Sequence, residues 1–320
     1  MKLTPQKDFK IVSMMIGMLL FPSVLTLLRV ERPGTLVLPD NPSPLGYTWS
    51  LLLFIVPIVT ILAWLHLNHD KKFLKKSFWL TIATLAPIGF LLDIFLGNLF
   101  FNFPNHEATI QFNLPGYDLE TQKWLWDLPI EEFIFYGSGF MAILLLYIWC
   151  DEFWFGAYNL PDYHGETKAL EKIVAFHPRS AILGLTLVVL GIIYKKFFQH
   201  QYNEGFPGYF IFLTLVSIVP SCAFFKATFR FINWRAFSFT FFFLLLVSLM
   251  WEATLGVPYQ WWTYNYSQML GITIGAWGNL PIEAALLWMA VTFTTVIIYE
   301  VIKIWLHSGR RAREAFFGKG

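Results

Sequence analysis

Eight stretches of about twenty mainly apolar residues decide what this chain can fold into. They lie at roughly 11–28, 47–67, 78–97, 129–150, 180–198, 208–225, 236–255 and 281–305. A helix of that length crosses the hydrocarbon core while satisfying its own backbone hydrogen bonds, where no water can do so. Hydrophobic residues fill 56% of the positions and charged residues only 14%. A soluble domain with a polar coat is excluded by that balance. The pattern predicts an all-α integral membrane protein of eight transmembrane helices. The first stretch follows Lys2, Lys7 and Lys10 as a signal sequence would, but it is long, contains Pro22 and has no small-x-small cleavage site before Arg29. It reads as a retained span.

Basic residues orient the spans. With the amino terminus inside, only Arg29, Arg32, Lys123, Lys195 and Lys196 of the 23 basic residues fall in outer loops, leaving 18 inside. That positive-inside bias predicts a multi-pass cell-membrane protein with both termini in the cytoplasm. Net charge is only +2 and the cations are scattered, so no nucleic-acid partner is expected. Cys150 and Cys222 lie in or near spans, with no thiol or metal motif around them.

One motif occurs twice. Trp126-Asp127-Leu128-Pro129-Ile130-Glu131-Glu132 is echoed by Trp277-Gly278-Asn279-Leu280-Pro281-Ile282-Glu283-Ala284. Each copy opens a long apolar helix and follows another whose outer end carries an acid, Asp93 and Glu252 respectively. Four spans separate equivalent positions, so the two copies insert in the same direction, as parallel four-helix repeats. The first repeat is expected over 1–150, a cytoplasmic linker over 151–179 and the second repeat over 180–320. Asp93–Gly97–Phe101-Asn102 aligns with Glu252–Gly256–Tyr264-Asn265, with a longer gap in the second copy. Asn113-Leu114-Pro115-Gly116 and Gln268-Met269-Leu270-Gly271 hold similar places. The aromatic-rich loops 98–128 and 256–280 are too long to be simple connections.

Acids at a membrane boundary are costly to retain and mark function. Glu131, Glu132, Glu283, Asp93 and Glu252 are the candidate catalytic residues. Pro129 and Pro281 read as first-turn prolines, with Glu131 and Glu283 beside the helix N-terminus. The outer loop of the second half contains no Lys or Arg, so no cation is expected beside Glu252 or Glu283. An acid beside a carboxylate in a dry pocket suits proton transfer. Trp126, Trp251, Trp262, Tyr264, Asn102 and Asn265 are the candidate substrate-binding residues; the bland alternative is an interfacial aromatic belt and loop caps. Asp151, Glu152, His164 and the tail from Arg310 to Arg313 read as solvated cytoplasmic surface. His106-Glu107 has no second ligand pair, and no metal is expected there.

Leu-Pro-Ile-Glu-Glu opening a helix, repeated, with an upstream acid–Gly–aromatic–Asn segment, resembles the membrane-embedded lycopene cyclase domain. That family includes heterodimeric and fused bacterial and archaeal cyclases and the cyclase half of fungal bifunctional carotenoid enzymes. The likeness covers the core of both halves, about spans two to four and six to eight. It implies cyclisation of the acyclic ends of lycopene to β-rings without a redox cofactor, with Glu131, Glu132 and Glu283 as the motif acids. It also implies a lipid-soluble carotenoid or polyprenoid substrate from the bilayer, and a homo-oligomer or other carotenoid enzymes as further partners. Where the family usually has a second acid, this chain has Ala284. Three alternatives stand beside this reading: a cyclase of another polyprenoid, a non-catalytic polyprenoid-binding membrane protein, and a proton-coupled transporter. No Gly-x-Gly-x-x-Gly follows a strand, so a flavin-dependent cyclase is not indicated.

Overall fold

The computed structural model describes residues 9, 13, 44–67, 73–119, 121–199 and 204–318. Among them, seven helices are long and apolar enough to cross a membrane: α1 Gly46–Leu67, α2 Lys75–Phe100, α3 Ile130–Trp154, α4 Pro178–Phe198, α5 Gly208–Thr228, α6 Trp234–Gly256 and α7 Ile282–Ser308. Each overlaps one of the expected spans. The remaining expected span, 11–28, lies outside the described residues apart from Ser13. The protein is a mostly helical, multi-pass membrane protein by the length and composition of these helices.

Burial sorts the helices into two layers. Just over half (56%) of the most apolar window of α3, α6 and α7 is buried, against 28% for α1 and α2 and 17% for α4 and α5. The first three form the interior; the other four turn Leu, Ile, Val and Phe outward, as a lipid-facing surface requires. Helix α3 packs on α1, α2, α6 and α7, and α7 packs on α5, α6, α2 and α3. Side chains such as Ile143, Leu144, Val296 and Ile297 are wholly enclosed at the centre.

Three short antiparallel pairings interrupt the expected all-helical pattern, all at one end of the bundle. Strand β1 (Phe101–Asn102) pairs with β4 (Thr263–Tyr264), β2 (Asn113–Asp118) with β3 (Lys123–Pro129), and β5 (Thr273–Ile274) with β6 (Leu280–Pro281). Pairing gives these loops internal partners for backbone groups that pack against an apolar interior. Pro129 and Pro281 sit just before α3 and α7 with extended backbones (ψ 144 and 147), one position earlier than first-turn prolines. Glu131 and Glu283 are consequently the second residues of their helices.

The opposite end carries most of the basic residues and is more built than its sequence suggests. The segment after α3 runs through a short helix, Tyr163–Ala169, and then hydrogen-bonds along the second half of the chain. Ile173 and Val174 donate to Ala315 and Phe316, and Ala175 and His177 donate to Ala223 and Cys222. The Arg310 guanidinium holds the carbonyls of Lys168 and Leu170 at 2.8 Å, so this arginine is a brace for the linker and not free surface.

Candidate functional site

The site grows from the first turn of α3. Glu131 and Glu132 are both buried, yet they point to different partners because adjacent helical residues project about 100° apart. Glu132 accepts a hydrogen bond from the Tyr47 phenol at 2.5 Å. Glu131 accepts from Thr48 Oγ1 at 2.5 Å and from the Ile110 backbone N–H at 2.8 Å. Glu132 faces the interior, and Glu131 fastens the preceding loop to the helix.

Glu283 repeats the fastening role, accepting from the Leu270 N–H at 2.5 Å. The expectation that it lacks a nearby cation is corrected by Lys195 of α4. That lysine is buried, donates to the Tyr266 carbonyl at 3.2 Å and lies within electrostatic reach of Glu283. A sequence reading could not place a residue from a different loop against this acid. Glu131 and Glu283 each keep one buried oxygen without a hydrogen-bond partner among the described residues.

Glu252 begins a single π-helical turn, Glu252–Gly256, that ends α6. Such turns occur often at functional sites. The Tyr264 phenol donates to its carboxylate, and Ser248 Oγ donates at 3.2 Å. Burial, then the charge of Glu252, push the Tyr264 phenol well above its ordinary pKa, so it remains a donor. Asp93 is buried on α2, close enough to Glu132 to interact electrostatically, with one oxygen lacking a hydrogen-bond partner among the described residues.

Glu132 and Glu252 meet in one cavity, walled by Tyr47, Phe101, Phe135, Tyr136, Trp251, Trp262, Tyr264 and Leu287. The rings pack closely: Trp251 lies 4.7 Å from Trp262, and Tyr47 lies 5.2 Å from Trp262. The cavity is small, about 20 Å³, the space of roughly one water.

Other expected residues fall elsewhere. Trp126 lies on the β2–β3 hairpin with 70% of its surface exposed, and Trp124 beside it is 53% exposed; both suit the interfacial belt. Asn102 is exposed at the β1–β4 pair. Asn265 donates to the Leu99 carbonyl at 3.1 Å and receives Ser267 Oγ at 2.7 Å, as a loop cap. Tyr47, Tyr136, Phe101 and Phe135 complete the wall without having been singled out from sequence. The signal for Tyr47 was available: Gly46-Tyr47 opens α1 as Gly208-Tyr209 opens α5.

The opposite end also departs from expectation. Asp151 is buried, not solvated, and its carboxylate lies 3.4 Å from Lys303 Nζ. Glu152 and Glu300 lie 3.7 and 3.8 Å from the same ammonium. Tyr147 and Tyr163 each donate to Glu300 at 3.2 Å. His164 stays exposed, as expected, and packs on His307 with ring centroids 5.0 Å apart. Apart from Lys303 and Glu300, one turn apart on α7, the hydrogen-bonded partners here lie 137 to 153 positions apart, so no local pattern could announce them.

Comparison with protein-family models, curated proteins and solved structures finds no match.

Proposed function

We propose that this chain is a cofactor-independent isoprenoid cyclase, acting on the acyclic ends of lycopene to form β-rings. We read it as two parallel repeats of four spans, with both termini in the cytoplasm of the cell membrane. The observation that carries the reading is the shared cavity, in which one carboxyl from each half faces an aromatic wall.

Reciprocal contacts support the repeat. Asn105 donates to the Tyr259 carbonyl at 2.9 Å as Asn265 donates to that of Leu99. Ile130 N–H reaches the Phe112 carbonyl as Ile282 N–H reaches that of Ile272. Gln111 and Gly271, beside the two loop-fastening N–H groups, both have positive φ. These contacts favour a register different from the one that the sequence spacing suggests. Asn105, not Asn102, corresponds to Asn265, and Ile110–Asn113 corresponds to 270–273. One residue more separates Gly256 from Asn265 than separates Gly97 from Asn105, so the extra residue of the second copy falls after the π-helical turn.

The chemistry follows from the two acids. Ring closure begins when a carboxylic acid O–H protonates the terminal alkene, leaving a tertiary cation. The internal alkene attacks that cation, forming the ring C–C bond. Loss of a neighbouring proton to a carboxylate sets the ring double bond, so the reaction is an isomerisation with no net change of atoms. Glu132, with one phenol donor among the described residues, is placed to give the proton; Glu252, held by Tyr264 and Ser248, is placed to accept one. Desolvated aromatic faces stabilise a cation by about 0.5–2 kcal/mol each. A space of about 20 Å³ does not admit an isoprenoid end, so turnover requires the aromatic wall to part.

The test is chromatography of pigments from lycopene-accumulating cells expressing the wild type, Glu132→Gln or Glu252→Gln. New β-ring carotenoids are expected from the wild type and neither variant. Unchanged lycopene with folded wild-type protein would redirect the assignment to another polyprenoid or to a non-catalytic binder.

A further inference from the structure

The largest apolar cavity among those described lies away from the acids. It holds about 580 Å³, within the range of small-molecule sites. Among the described residues its walls are α4, α5, α6 and α7 together with Phe9 and Ser13 near the amino terminus, the lining including Leu183, Leu187, Phe210, Phe241, Met289 and Phe293. Along α5 the lining runs from Phe210 to Phe225, about 22 Å at the helical rise per residue. That exceeds one leaflet of a hydrocarbon core about 30 Å thick.

Among the described lining residues, the titratable groups are confined to one end. Thr214 and Ser217, midway along the slot, turn their hydroxyls onto the Phe210 and Leu213 carbonyls of their own helix. At the basic end polar groups meet: His177 Nδ1 lies 2.8 Å from Ser180 Oγ, which lies 2.7 Å from Ser221 Oγ. Arg179 also lines this mouth, and Lys226 lies within electrostatic reach of His177. Both cations are exposed. Burial and these two cations hold His177 below its ordinary pKa, so its ring is more readily neutral.

We propose that this slot binds an anionic lipid, its phosphate between Arg179 and Lys226 and one hydrocarbon tail between α4, α5, α6 and α7. The occupant follows from complementarity: a long apolar space with Arg179 at its basic mouth and Lys226 beside His177 there. Basic pockets between transmembrane helices recognise phospholipid head groups for this reason. A free phosphate would leave the slot unfilled, and a neutral lipid would leave the cations unmatched.

The test uses the full-length protein in neutral detergent, with retained lipid counted by native mass spectrometry. Phosphatidylglycerol and phosphatidylcholine of equal chain length are offered together, with inorganic phosphate as a third arm. Wild type is expected to prefer phosphatidylglycerol by roughly fivefold per basic side chain. The exposed-site double variant Arg179→Gln/Lys226→Gln should retain both lipids about equally. Ser217→Trp, which fills the slot, should lose both, whereas Ser217→Ala should behave as wild type. Inorganic phosphate should displace neither. Equal retention by the wild type, an undiminished preference in the double variant, or full retention by Ser217→Trp would each overturn the site.

Discussion

Two tyrosines at the starts of matching helices end in different situations. Tyr47 gives its hydroxyl to Glu132, whereas the buried hydroxyl of Tyr209 has no partner among the described residues. Where the first motif has Glu132, the second has Ala284, so the second tyrosine lacks the corresponding acceptor. Removing one side of a satisfied buried bond costs about 1–3 kcal/mol, whereas removing an unsatisfied group does not. Tyr47→Phe should therefore lower the thermal midpoint in detergent, and Tyr209→Phe should leave it unchanged or raise it. The sequence marked Glu131 and Glu132 as a pair but could not say which faced inward. That depends on where the 98–128 loop lands, and the loop is anchored by a backbone N–H that carries no side-chain signature.

At the scale of the element, the informative feature is the π-helical turn at the end of α6. The sequence showed an acid followed four residues later by glycine in both copies, without showing why glycine was needed. A Cβ at Gly256 would approach the Trp262 ring to 2.3 Å, and one at Gly97 would approach Asp93 Oδ1 to 2.8 Å. Gly256→Ala should force Trp262 from the cavity wall. The strain should be about 1–3 kcal/mol, and the loss of β-ring product in the pigment assay should be larger than that stability change implies. Hydropathy could locate α6 but not its last turn, because a π-turn adds one residue without changing composition.

The whole molecule is joined at two levels. At one end the carboxyls of the two halves share a cavity; at the other, Lys303 of α7 meets Asp151 and Glu152 at the end of α3. Removing one partner from a buried ionic group typically costs 3–5 kcal/mol, since the remaining charges are left uncompensated. Lys303→Met should produce a loss of that order in detergent unfolding, well beyond the effect of Lys168→Met on the exposed linker. The contacts of the linker with Ala223, Ala315 and Phe316 assign most of it to the second half. Chains split between Pro161 and Asp162 should restore β-ring formation when co-expressed and show none separately, because each fragment supplies one cavity acid. Hydropathy and charge made the seven described helices legible, since both reflect the solvent each segment meets. The joining contacts were not legible, since they depend on pairings across the chain.

A chamber shared by both halves of the chain has a consequence for the order of events on a molecule with two reactive ends. On the proposed cyclase reading, one terminus is seated at a time and the second waits until the first has been withdrawn. Any product altered at both ends would then pass through a half-finished species free to leave the protein. A time course with limiting enzyme should show that singly closed pigment rising first and then declining.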